Sequence, residues 1–175
     1  MLETLITSKT RLKLLLKFFL NGKNESYLRG LEAEFGESSN AIRIELNRFE
    51  EAGLLVSKTE GKRKIYQANS RHSIYNELHN LLIKFVGIDE IIEKVLRRIG
   101  DLKSAYVIGD FARGIDSQTI ELILVGDKLN ENYILNLVEK AQKMIKRDVR
   151  ISILPPDDLE AYLRTHHHLL IWQGN

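Results

Sequence analysis

Residues 39–55, SNAIRIELNRFEEAGLL, place the strongest constraint on the fold. Ile42, Leu46 and Phe49 recur at helical spacing and form one apolar stripe, so the segment is a helix with a single buried side. Gly53 stops it, and Ser38 or Ser39 is placed to cap its start. The period then changes. Leu54-Leu55-Val56 and Ile65-Tyr66-Gln67-Ala68 are short apolar runs around a polar tip, Lys58 to Lys64, that contains Gly61. That pattern predicts a β-hairpin. A one-sided helix followed at once by a hairpin needs other helices to pack on, and the preceding residues supply them. Residues 9–20 carry Leu12, Leu15, Leu16 and Phe19 at helical spacing and end at Asn21-Gly22. Ser26 can cap a second helix over 27–35, which Gly36 stops.

The second half is patterned differently. Residues 73–86 and 88–99 read as connector helices broken near Gly87, with Asp89 as a cap. Ala105 to Ile108 and Ile120 to Val125 read as strands, 131–146 as an amphipathic helix, and Val149 to Leu154 as a third strand. Asp157 to Arg164 is a short helix after Pro155-Pro156. The order β-β-α-β-α predicts a small domain with a mixed sheet. His166-His167-His168 reads as a solvated C-terminal segment, because consecutive helical residues point about 100° apart and cannot converge on a metal. Trp172 is expected to pack on a core. His72 and His79, seven apart, could share a helix face, but two lone imidazoles rarely make a metal site.

Composition narrows the function classes. With 175 residues the chain fits one ordinary domain or two small ones. No apolar run reaches the roughly 20 residues of a membrane helix, and the first residues lack the apolar stretch of a secretory leader. There is no cysteine, which excludes disulfides, thiolate zinc sites, iron–sulfur clusters and cysteine nucleophiles. The cytoplasm is the simplest compartment. The net charge of +2 announces no polyanionic partner. Its distribution is uneven: residues 1–86 hold 14 Lys/Arg and 10 Asp/Glu, whereas 87–175 hold 12 and 14. The halves differ in sign and are expected to do different work.

On the helix over 39–52, Asn40, Arg43 and Asn47 fall opposite the apolar stripe, with Ser38 and Ser39 at its N-terminal end. These are residue types that bond base edges and phosphates in a major groove. The basic tip Lys62-Arg63-Lys64 could reach adjacent phosphates. Residues 8–68 resemble the winged helix-turn-helix domains of bacterial and archaeal regulators of the ArsR/MarR-like type, with Ser39 to Leu55 matching the recognition helix as it runs into the wing. The resemblance implies binding of double-stranded DNA. Metal-sensing members of that type use Cys or His clusters, and this half has none.

Residues 104–126, SAYVIGDFARGIDSQTIELILVG, are similar to the minimal nucleotidyltransferase domains of the DNA polymerase β-like superfamily. That family's pattern is a strand, Gly-Ser, a few residues, Arg-Gly, and a strand bearing Asp-x-Asp. Two carboxylates two apart on one strand point the same way and can hold two Mg²⁺ ions with a third from a later strand. Here Gly109, Arg113 and Gly114 match. Asp110 stands for the Ser, Thr119 for the first Asp and Glu121 for the second, and Arg150 to Ile153 offers no carboxylate. One acidic residue of three is too few for two Mg²⁺ ions.

The expected fold class is α+β: a winged helix-turn-helix unit over 1–86 with its connector helix, then a nucleotidyltransferase-like unit over 87–175 without catalytic residues. The expected function is DNA-binding transcriptional regulation by a homodimer, with no cofactor and no metal. The second unit could bind a nucleotide or a protein, or only dimerise. The rivals are an active nucleotidyltransferase presented by a winged domain, and an antitoxin-like interaction protein.

Overall fold

The computed structural model describes residues 2–174. The chain divides into two compact units, the first reaching to Leu82 and the second beginning at Ile83.

In the first unit, a short helix α1 (Leu2–Leu5) precedes α2 (Lys9–Leu15), which Ser8 caps by accepting the N–H of Arg11. The helix continues as a π-helical turn over Leu16–Leu20. Such a turn disturbs the backbone ladder, and side chains meet two of its carbonyls. The Asn24 amide donates to Lys17 O at 3.0 Å, and the ring of His79 meets Phe19 O at 3.0 Å. Strand β1 (Glu25–Tyr27), helix α3 (Leu28–Phe35) and helix α4 (Ser39–Glu51) follow. The hairpin is β2 (Leu55–Glu60) and β3 (Arg63–Ala68), and α5 (Tyr75–Val86) runs across the division between the units.

The sheet order is β1-β3-β2, antiparallel throughout, so this unit is a winged helix-turn-helix. Its core is Leu14, Leu16, Phe18, Phe19, Leu31, Ile42, Leu46 and Leu55, all buried. Ion pairs stitch α2 and the π-helical turn to the segments that follow, α3, the loop after it and α4. Lys17 reaches Glu34 at 2.7 Å and Lys13 reaches Glu37 at 2.9 Å. Arg11 grips the carboxylate of Glu45 with Nε at 2.8 Å and Nη2 at 3.1 Å.

Local details differ from the sequence reading. Ser26 lies in β1 and caps nothing; Tyr27 stands at the cap position of α3, without a side-chain bond. The long-range pairing of β1 with β3 claims that residue first. The hairpin strands run almost to the turn, so most of the polar tip is strand. His72 precedes α5, so it does not share a helix face with His79; its ring meets Ala52 O at 3.2 Å at the end of α4.

In the second unit, α6 (Ile88–Lys94) starts after Gly87, at φ 88°, rather than at an Asp89 cap, and is followed by a 3-10 turn, Leu96–Arg98. Strand β4 (Ser104–Ile108), helix α7 (Gly109–Ala112), strand β5 (Thr119–Val125), helix α8 (Glu131–Ile145) and strand β6 (Asp148–Leu154) follow. Then come α9 (Leu159–Thr165) and β7 (His168–Gln173). The sheet order is β6-β5-β4-β7, with β5 and β6 parallel and the other pairs antiparallel. The C-terminal segment is therefore not simply solvated, because its residues pair with β4. The run His-Leu-Leu-Ile-Trp-Gln shows no alternation that would mark it as a strand. His168 stands edge-on to Tyr106 at 5.9 Å, and Trp172, opposite Ala105, is half-buried. Among the described residues no helix is long and apolar enough to cross a membrane.

Candidate nucleic-acid interface

Helix α4 exists because its apolar stripe must be covered. Ile42, Leu46 and Phe49 are buried, and the Ser38 hydroxyl closes the first turn by accepting the Ala41 N–H at 3.2 Å. Such a cap contributes about 1 kcal/mol. Glu45 is also on the covered side, its side chain only 8% exposed. It survives burial because Arg11 and Arg48 both hold it, Arg48 at 2.9 Å. The Arg11 hydrogen bonds, ahead of an opposing burial effect, keep its carboxyl below the ordinary carboxylate range.

The opposite side presents Asn40, Arg43 and Asn47, all exposed, with Ser39 half-buried at the helix start. Among the described residues Arg43 has no hydrogen bond or ion pair, so its guanidinium is available. Arg43, Asn47 and Glu50 are spaced i, i+4 and i+7 and therefore share one stripe of the helix. Glu50 fixes where that stripe lies. Its carboxylate accepts from Lys64 Nζ at 2.6 Å and from the Ser57 hydroxyl at 2.5 Å, both on the hairpin. The stripe bearing Arg43 thus borders the wing. The Lys64 bond, then the Ser57 bond, lower the Glu50 pKa, and the same pair raises that of Lys64.

The hairpin register separates the three basic residues of the tip. Ser57 lies opposite Tyr66, and Thr59 opposite Lys64; these four face α4. Glu60 lies opposite Arg63, and Lys58 opposite Ile65, on the other face. There Arg63 stacks on the ring of Tyr27 at 4.6 Å, and Lys58 bridges Glu25 and Glu60 at 3.0 and 2.9 Å. Lys62 occupies the turn and has no carboxylate partner among the described residues. The expected cluster of three cations is therefore one free Lys62, one Lys64 shared with a carboxylate, and one Arg63 turned to the far face. Alternation along a strand divides any run of three in this way. Sequence reading passed over Ile44, Arg48 and Glu50; the helical angle alone places Ile44 among the exposed polar residues.

The second unit brings the remaining candidate residues together around one turn. Gly109 adopts φ 65°, and a Cβ there would sit 2.5 Å from the Glu121 carboxylate. It is the left-handed backbone that requires glycine, because the carboxylate is the mobile end of a long side chain. Asp110 pairs with Arg113 one helical turn on, and Gly114 closes the turn at φ 74°. Thr119 and Glu121 share a face of β5 with their parallel partners Asp148 and Arg150. The later strand does carry a carboxylate, because β6 begins at Asp148, before the run in which none was expected. Arg150, directly beside Glu121 in register, places a cation on the same face. Arg147 anchors the intervening loop: it pairs with Asp116 at 2.9 Å, donates to Ser117 O and stacks on Phe111 at 5.2 Å. Among the described residues no three His, Asp or Glu side chains converge as metal ligands would.

No family model matches the sequence, and no curated protein matches it. Several solved structures are similar to parts of it, among them the following two. Reduced HlyU from Vibrio cholerae N16961 is 20% identical over 47% of this chain and 82% of its own, with a TM-score of 0.38. A protein described as a candidate nucleotidyltransferase from Sulfolobus solfataricus is 21% identical over 61% of this chain and 93% of its own, with a TM-score of 0.37. At such scores neither likeness bears on function.

Proposed function

We propose that this chain is a transcriptional regulator that binds double-stranded DNA, acting as a homodimer in the cytoplasm. The observation that carries the reading is the stripe of α4 on which Arg43 and Asn47 stand free, bordered by the wing through Glu50, Ser57 and Lys64. An exposed helix carrying amide and guanidinium groups suits base edges in a major groove. Ser39 and the N-terminal N–H groups of α4, with Lys62 in the wing turn, suit phosphates on either side. The second unit is read as inactive in nucleotidyl transfer and as a platform for a nucleotide or protein ligand, or for assembly alone. No cofactor enters this reading.

Titration of labelled duplex DNA at increasing salt is the test. At about 50 mM salt the full chain is expected to bind at micromolar concentration or below, with the logarithm of affinity falling linearly with that of salt. Arg43→Ala is expected to weaken binding by about 1–3 kcal/mol. No saturable binding at low salt would refute the reading.

One observation favours a second reading, an active transferase: Asp148 stands in register beside Thr119, on the same face as Glu121. Two carboxylates would then line that face, against which stands the cation of Arg150.

A further inference from the structure

We infer that Ile44 is a specificity-determining residue that reads the C5-methyl group of thymine in the major groove, an inference that rests on the duplex-DNA reading of α4. Ile44 is 43% exposed. It is not the fringe of the core, because Ile42, Leu46 and Phe49 occupy the opposite side of the helix. Its neighbours at i−4, i+3 and i+4 are Asn40, Asn47 and Arg48, all polar and all exposed, and at i−3 the small, half-buried Ala41. Ile44 is therefore the one large apolar side chain in the middle of the polar arc of α4.

Helix propensity does not account for it, since isoleucine is a poorer helix former than the Ala, Lys, Glu or Gln that usually fill such a position. Packing within the first unit covers it only in part. In a major groove the same position gains a partner. Each thymine presents a methyl group there, and an apolar side chain recognises it by contact, whereas cytosine and the purines offer polar atoms. The flanking residues fit the same sites. Asn40 and Asn47 carry amides of the kind that pair with adenine N6 and N7, while Arg43 suits guanine or phosphate; Arg48 is already engaged with Glu45. The arc is thus suited to a half-site in which A·T pairs, read by amide and alkyl groups, lie beside a G·C pair or a phosphate read by arginine.

The experiment uses the full chain and duplexes enriched from a random library by repeated rounds of binding. Each thymine of the enriched core is then replaced by deoxyuracil, which deletes only the methyl group. At one thymine at least, the wild-type protein is expected to lose affinity about three- to five-fold, the value of one buried methyl. Ile44→Val is expected to keep that ratio, and Ile44→Ala to bring it close to one with helix content by circular dichroism unchanged. Equal binding of thymine and uracil duplexes at every position would overturn the inference and leave the DNA reading standing. So would a ratio that persists in Ile44→Ala. Failure to enrich any duplex would overturn both.

Discussion

Lys64 Nζ lies 2.6 Å from the Glu50 carboxylate, so a wing cation and an acid of the exposed helix stripe are matched before any ligand arrives. The consequence is a division of labour among the three basic residues of the hairpin. Lys62 is free for a phosphate, Arg63 is stacked on the far face, and Lys64 is already engaged. Lys62→Ala is expected to lower the magnitude of the salt slope by up to about 0.9, the loss of one phosphate contact. Arg63→Ala should leave the slope nearly unchanged. Glu50→Gln is expected to tighten DNA binding by releasing Lys64, whereas Lys64→Ala leaves Glu50 uncompensated beside the phosphates and weakens it. Equal slopes for the Lys62 and Arg63 variants would contradict this assignment of faces.

A second prediction concerns acid stability. Glu45 is held between Arg11 and Arg48 with its carboxyl pKa lowered, chiefly by the Arg11 hydrogen bonds. A depressed native pKa binds fewer protons in the folded state, so its contribution is complete above the unfolded glutamate value of about 4.3 and is lost as pH falls through the native value. Glu45→Gln is expected to cost about 1–3 kcal/mol at neutral pH, because it leaves the guanidinium of a part-buried pair without its charge partner. The penalty should shrink as the pH is lowered below 4 or so. Denaturant melts of both proteins across that range check it, and a penalty independent of pH would show that Glu45 acts by shape alone.

How far the sequence could be read follows from the range of the interactions. The α4 stripe of Ile42, Leu46 and Phe49 is a local pattern and was legible, as was a serine cap at Ser38 or Ser39, of which the structure uses Ser38. So was the exposure of Asn40, Arg43 and Asn47, which helical angle alone dictates. The placing of Arg63 against Tyr27 was not, because it depends on the register of β3 with β1, two segments nearly 40 residues apart. The same holds for β7, whose pairing with β4 no local period announces. In the second unit the turn at Gly109 was legible from its residue types. The cation of Arg150 beside Glu121 required the parallel register of β5 and β6.

A third prediction addresses nucleotidyl transfer. Thr119 offers no carboxylate, Ile123 continues the same face as a buried alkyl group, and Arg150 opposes cation binding near Glu121. Hard divalent ions need several anionic oxygens, so the full chain is expected to transfer no label from any nucleoside triphosphate with Mg²⁺ or Mn²⁺. Incorporation of label that Glu121→Gln and Asp148→Asn both abolish would revive the transferase reading.

The last prediction concerns assembly. Ile74, immediately before α5, and Leu78, Leu81 and Phe85 on it follow one another at intervals of four, three and four, the spacing of a helix–helix seam. Ile74 and Leu81 are 44% and 43% exposed, and Leu78 and Phe85 are half-buried. The buried side of α5 is a different one, with Leu82 and Val86 almost wholly covered. The apolar stripe on α6 and the turn after it is not open to a partner, because it is core: Ile88, Ile91, Val95, Leu96 and Ile99 are buried. We propose that the α5 seam supports a homodimer, in which two copies of α4 could meet half-sites about one helical turn of DNA apart; the C-terminal unit, with Leu135 and Met144 exposed on α8, is the alternative surface. Sedimentation equilibrium at tens of micromolar should give about twice the chain mass of 20.2 kDa for the wild type. Leu81→Glu should give the monomer mass with unchanged circular dichroism, since the position is part-exposed and outside the buried core, and should weaken binding to a two-half-site duplex far more than to a single half-site. A wild-type protein that stays monomeric both alone and on DNA would exclude the symmetric arrangement and leave a single-site binder.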